Sequence, residues 1–309
     1  MSSPTSPETA TTTLDDIATT DGTFAVVAMD QRNTLKRMYA AIGVDDPSPD
    51  ELVGIKGDVL AALAPSASAF LLDPTYGIPA LAQQGRHDYG VLVAAEPEKR
   101  PRYGDEPRAA RDPQQDARWV RDQGGSAVKY LVQLRADRPI TPGEPDLAAE
   151  VVDVVRQVVD DCRDAGVPSV VENLIYQLPG EELTPERRAD AIIEAAVRLD
   201  DLGPDLLKLE YPGSPEACRR LSEEISSPWA VLSAGVDASV FTDVLKISCD
   251  EGGASGFIAG RAVWKDAVGM SPPARREHLA DAGLRRLEEC VAAIDGRARP
   301  WRDVAGIPS

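Results

Sequence analysis

Eight short apolar runs, each followed by a longer or loop-interrupted stretch, limit this chain to very few folds. The runs are FAVVAMD (24–30), AFLLDP (69–74), VLVAAE (91–96), AVKYLVQL (127–134), SVVENLI (169–175), LLKLEYP (206–212), WAVLSAGV (229–236) and GFIAGRAVW (256–264). Continuous rather than alternating hydrophobicity marks strands covered on both faces. The segments between them, such as DELVGIKGDVLAALAP (50–65) and DLAAEVVDVVRQVVDDCRDAG (146–166), repeat apolar residues at the spacing of a helix face. Thr184 before Pro185 and Ser214 before Pro215 are cap-then-proline helix starts, and Gly166 closes another helix. Eight strand–helix pairs in 309 residues predict an α/β chain with a single (β/α)8 TIM barrel rather than an open doubly wound sheet. Neither a dinucleotide fingerprint nor a P-loop follows the first strand. The barrel domain is expected over 19–309, after a disordered lead at 1–18. The opening MSSPTSPETATTT has neither the basic nor the apolar region of a secretory signal, which predicts a cytoplasmic protein.

Composition narrows the partners. A net charge of −18 repels phosphate backbones, so nucleic acid is not an expected partner. No run approaches the roughly 18 apolar residues of a membrane helix. Cys162, Cys218, Cys249 and Cys290 are widely spaced without a CxxC, and read as structural thiols. With only His87 and His278 in the chain, a multi-histidine zinc site is excluded. Any enzyme chemistry is therefore expected to run on lysine and carboxylates. A homo-oligomer stays open, because the C-terminal LRRLEECVAAI helix can pack on its own barrel or on a neighbour.

In such a barrel, catalytic residues gather at the C-terminal ends of the strands. Those ends carry Asp30, Asp73, Glu96, Lys129, Glu172, Lys208 with Glu210, Ser233 and Arg261. So many ionisable groups would be costly in a purely structural interior. Lys208 is central, because a lysine of lowered pKa attacks carbonyls and forms an imine. Lys129, one cation away across the mouth, is expected to help keep Lys208 neutral. The competing reading is a Lys208–Glu pair that merely holds the barrel together. Glu172, between the two lysine-bearing strands, is the candidate acid/base. Glu210 shares a strand face with Lys208 by period two and is expected to orient it as a counter-ion. Small residues in LSAGV (Ser233, Gly235) and Gly260 beside Arg261 fit an anion site at the seventh and eighth strands. Asp30, Gln31 and Arg32 are candidates for holding a lysine, hydroxyls or a distal anion, with a solvated helix start as the alternative for Arg32. Asp73, before Pro74, reads as turn chemistry.

FAVVAMDQRNTLKRM, ASAFLLDPTYGIPA, AVKYLV, LLKLEYP, LSAGV and GFIAGRAVW, in this order, resemble the class I aldolase family of tagatose-1,6-bisphosphate aldolase and sulfofructosephosphate aldolase (the DeoC/LacD type). The resemblance runs from about residue 20 to residue 270. It implies a (β/α)8 barrel and a metal- and cofactor-free Schiff-base mechanism on a small-molecule sugar phosphate. It assigns the imine to Lys208, the second lysine to Lys129 and the acid/base to Glu172. Phosphate contacts fall to Ser233, Gly235, Gly260 and Arg261, and substrate contacts to Asp30 and Gln31. DPTYGIPA looks more like the tagatose members, whereas PWAVLSAGVDASVF and GASGFIAGRAVW look more like the sulfosugar members. The expected activity is cleavage of a ketose 1-phosphate to dihydroxyacetone phosphate and an aldehyde. The alternatives are a deoxyribose-phosphate-type or 2-keto-acid aldolase, or a non-catalytic sugar-phosphate sensor.

Overall fold

The computed structural model describes residues 11–307. Eight parallel strands close into a barrel, each hydrogen-bonded to its neighbours in the chain and the last to the first. They are β1 (Phe24–Met29), β2 (Ala69–Leu72), β3 (Gly90–Ala94), β4 (Ala127–Val132), β5 (Ser169–Asn173), β6 (Leu206–Leu209), β7 (Trp229–Val231) and β8 (Gly256–Ala259). Closure pairs Phe24 with Gly256 and Val27 with Ala259. All eight coincide with the eight apolar runs, β3 starting one residue before its run, so the predicted fold class is the observed one. Around them stand α1 (Asn33–Ala40), α2 (Pro49–Leu63), α3 (Gly77–Gln84), α4 (Ala117–Asp122), α5 (Leu147–Ala165), α6 (Pro185–Asp200), α7 (Pro215–Glu224), α8 (Ala238–Gly252) and the single-turn α9 (Arg261–Trp264). A two-residue hairpin, Arg102–Tyr103 against Glu106–Pro107, decorates the loop after β3.

Local chemistry starts and stops these helices as the residues suggest. Thr184 accepts from Arg187 N ahead of Pro185, and Ser214 from Ala217 N ahead of Pro215. Gly166 ends α5 at φ 65°, a left-handed position where glycine has no Cβ penalty. The C-terminal helix α11 (Leu284–Ile294), which follows α10 (Pro272–His278), buries Leu287, Cys290, Ala293 and Ile294 and packs on α8 of its own barrel. All four cysteines are buried free thiols. No helix among the described residues is long and apolar enough to cross a membrane.

Two apolar layers hold the molecule. One lies between the strands and the helix ring. The other fills the barrel itself, with Phe24, Val26, Ala28, Leu71, Leu92, Ala94, Ala127, Val170, Leu206, Ala230 and Ile258. Period two carries these inward rows upward to Asp30, Glu96, Lys129, Glu172 and Lys208, so the polar cluster is the top layer of the same interior.

The lower end corrects the expected disordered lead. Residues 1–10 lie outside the described residues, but Leu14–Asp16 form a 3-10 turn capped by Thr13, and Leu14 and Ile17 are buried in the inner core. Ser68 Oγ donates to Ile17 O at 2.9 Å, and Trp301 Nε1 donates to Asp15 Oδ1 at 3.1 Å. Gly90 is required here, since a Cβ on it would lie 1.9 Å from Asp16 O. The segment 11–18 thus belongs to the barrel and closes its floor. Ile17→Ala is expected to cost about 2–5 kcal/mol of stability in urea unfolding; a loss under about 0.5 kcal/mol, the size of a neutral surface change, would contradict that packing.

Candidate active site

Lys129 on β4 is fully buried, and its ammonium meets three carboxylates: Asp30 Oδ2 at 2.7 Å, Glu172 Oε2 at 2.9 Å and Glu96 Oε1 at 3.1 Å. Three donors and three acceptors leave it saturated. Glu172 turns its other oxygen to Lys208 Nζ at 3.0 Å. The sheet dictates this contact, because Glu172 and Lys208 are register partners on adjacent strands and so stand on one face. Glu96 also accepts from Leu131 N at 3.1 Å, and Arg32 lies 3.6 Å from it while donating to the Glu96 carbonyl at 3.1 Å. Three cations and three carboxylates therefore balance within the cluster.

Burial opposes the charge on Lys129, yet Asp30, Glu172 and Glu96 together push its pKa above the ordinary lysine range. Burial likewise disfavours the carboxylates, but Lys129 and then Lys208 hold both Glu172 and Asp30 below the usual carboxylate range. Both carboxylates are thus ionised throughout the neutral range.

Of the buried lysines, Lys208 alone lines the cavity in the barrel mouth, about 260 Å³ in volume. Glu172 is its ion-pair partner among the described residues. Asp30, Gln31, Arg32, Glu96 and Arg261 share that lining. Gln31 donates to Asp30 Oδ1 at 3.1 Å, which leaves its own Oε1 buried without a partner among the described residues. In the loop after β7, Ala234 has φ 49°, the one positive φ at a non-glycine among the described residues, followed by Gly235 at φ 85°. A Cβ on Gly235 would lie 3.1 Å from Arg261 Cζ, so the guanidinium rests directly over the loop. Ser233 is buried beside it. Gly260 permits close packing: a Cβ there would strike Ala28 O at 1.8 Å.

Glu210 departs from expectation. It does not pair with Lys208; it accepts from Ile175 N at 2.8 Å and pairs with Arg188 on α6. Its residue lies one position beyond the end of β6, where strand alternation no longer sets side-chain direction, and Glu172 takes the counter-ion place instead. Asp73 serves the turn, accepting from Thr75 N, Tyr76 N and Gly77 N at 2.8–3.1 Å. Lys129, expected to help keep Lys208 neutral as a nearby cation, is ringed by three carboxylates that answer its charge. Sequence reasoning left Glu96 without a role and missed Arg37 and Arg100, which line the cavity and form no ion pair among the described residues. Arg100 was legible only as part of an arginine- and proline-rich loop after the third strand.

A TIM barrel whose mouth holds two buried lysines bridged by one carboxylate is the architecture of an enzyme acting at the strand ends. The family model described as DeoC/LacD family aldolase matches residues 24–266. The chain belongs to that family and is an aldolase, a lyase that cleaves carbon–carbon bonds. It is 29% identical to tagatose 1,6-diphosphate aldolase 2 of Streptococcus pyogenes serotype M1, over 92% of this chain and 94% of that protein. It is 26% identical to tagatose 1,6-diphosphate aldolase of Staphylococcus epidermidis, over 94% and 97%. Among solved structures, an archaeal fructose-1,6-bisphosphate aldolase superposes with a TM-score of 0.57 at 15% identity, covering 90% of this chain and 96% of that one. Fructose-bisphosphate aldolase of Plasmodium falciparum gives 0.69 at 12% identity, covering 93% and 94%. These two likenesses concern the fold.

The charge balance yields a pH test. Asp30 and Glu172 have native pKa values below their unfolded values, so their contribution to stability is present above about pH 4 and is lost as pH falls. In Lys129→Met their nearest cation is gone while burial still opposes the charge, so both native values are expected to rise above the unfolded ones. The sign then inverts, and acidification relieves the variant. The urea-midpoint gap between wild type and Lys129→Met is expected to narrow from pH 7 to pH 5; a gap that stays constant would contradict the assigned charges.

Proposed function

We propose that the protein is a class I aldolase that cleaves a ketose 1-phosphate through a Schiff base on Lys208. The observation that carries this reading is the contrast among its lysines. Lys129 has every donor occupied, whereas Lys208 opens on the cavity with Glu172 as its ion-pair partner. Lys208 gives up its ammonium proton to solvent, the resulting amine attacks the substrate C2 carbonyl, and the carbinolamine hydroxyl takes a proton back and leaves as water to give the protonated imine. Glu172 takes the proton of the C4 hydroxyl, the C3–C4 bond breaks, and its electron pair moves into the imine to give an enamine. The aldehyde departs. Protonation of the enamine at C3 and hydrolysis then release dihydroxyacetone phosphate and restore Lys208. Lys129 keeps Glu172 and Asp30 in place and ionised. Gln31 offers its unpartnered oxygen to a substrate hydroxyl.

The substrate's phosphate is assigned to Arg261 with the Ser233–Gly235 loop, where a guanidinium with no ion pair among the described residues sits on a loop with positive φ at Ala234 and Gly235. Arg37 and Arg100, on the same cavity, suit an anionic group at the other end of the sugar. A tagatose 1,6-bisphosphate-type substrate fits both features and agrees with the names of the related proteins; a sulfonated ketose phosphate offers the same pair of charges. Membership in an aldolase family sets the non-catalytic sensor aside.

Borohydride reduction with dihydroxyacetone phosphate is expected to leave a covalent adduct on the Lys208 peptide of the wild type and none on Lys208→Met, with EDTA without effect. Absence of an adduct while binding is retained, or loss of activity in EDTA, would overturn the Schiff-base reading. Glu172→Gln should lower cleavage by about 10²–10⁴-fold while the adduct still forms.

A further inference from the structure

A third lysine, Lys56, is fully buried on the inner face of α2 and does not line the mouth cavity. The β1–β2 ladder ends at Met29 and Leu72. Lys56 Nζ joins the segments that follow, 2.7 Å from Asp73 Oδ1, donating to Gln31 O at 3.0 Å and also to Met29 O. All three of its N–H groups are therefore used, which leaves no lone role as a nucleophile. Its acceptors are telling, because Met29 and Gln31 are the residues on either side of Asp30. Asp73 in turn is fixed by three backbone N–H groups at the start of α3.

We propose that Lys56 is a positioning residue for the aldol step, clamping the carbonyls that flank Asp30 so that its carboxylate is held on Lys129. The path is contiguous: the α3 turn anchors Asp73, Asp73 anchors Lys56, and Lys56 fixes the backbone of Asp30. Asp30 then meets Lys129 at 2.7 Å, and Lys129 meets Glu172 at 2.9 Å. A displacement of about 1 Å at a reacting group can cost 10²-fold in rate, so a clamp this close to the acid/base acts on turnover more than on binding. Lys56 touches neither substrate nor the reacting atoms, and the inference rests on the Schiff-base reading above.

The test uses the full chain and dihydroxyacetone phosphate alone, whose C3 hydrogen exchanges with D2O through the enamine. Lys56→Met combined with Asp73→Asn removes the buried pair without leaving an uncompensated charge and keeps an acceptor for the turn. This double variant is expected to melt cooperatively within about 5 °C of wild type and to bind dihydroxyacetone phosphate with a Kd within about 3-fold. Its deuterium exchange should fall by about 10- to 100-fold. Asp73→Asn alone, which retains Lys56, should give a smaller loss and serves if the double variant does not fold. Wild-type exchange in either folded variant would confine Lys56 to stability and overturn the proposal. If the wild type itself neither exchanges nor traps with borohydride, the Schiff-base reading fails first and this inference with it.

Discussion

A lysine sunk in the top layer of a barrel is stable only if its charge is answered nearby, and the rest of this site follows from how that is done. Lys129 is answered by Asp30, Glu96 and Glu172, which arrive from β1, β3 and β5. Ionised carboxylates in an apolar interior would themselves be costly, so each group makes the others tolerable. Removing any one leaves buried charge uncompensated. This mutual dependence ties the ends of four strands together and brings Glu172 to Lys208. It also leaves Lys208 as the cluster lysine that faces the cavity.

The charges of the whole chain and of the mouth are opposed. The chain carries −18, which repels anions in general, yet beyond the balanced cluster the cavity lining adds Arg37, Arg100 and Arg261 against the single carboxylate of Glu98. A low-dielectric cleft focuses such a field locally, so anions are favoured at the mouth while the outer surface stays acidic.

The architecture was legible because it rests on strong local signals. Eight apolar runs gave eight strands, and proline after a capping hydroxyl marked helix starts at Thr184 and Ser214. Strand-end position brought Asp30, Lys129, Glu172 and Lys208 together correctly, since period-two alternation and parallel register leave little freedom. Glu210 was misread because the same alternation was carried past the last hydrogen-bonded residue of β6. Lys56 was missed although a signal existed: it lies four residues after Leu52, on the apolar face of its helix. The floor segment was missed because Leu14 and Ile17 alone, within a polar Thr- and Asp-rich stretch, are too short a pattern to announce packing. Arg37 and Arg100 come from a helix and a loop whose approach to one cavity depends on tertiary geometry.

The interdependence of the buried charges is the central claim, and a double-mutant cycle measures it directly. Unfolding free energies of wild type, Lys129→Met, Glu172→Gln and the double variant at neutral pH give the coupling. Each single change should cost about 3–5 kcal/mol, because it strands a buried charge, and the double variant should cost less than their sum by about 1–3 kcal/mol. Additivity within about 0.5 kcal/mol would mean that Lys129 and Glu172 do not stabilise each other, and the account of the site built on them would fall.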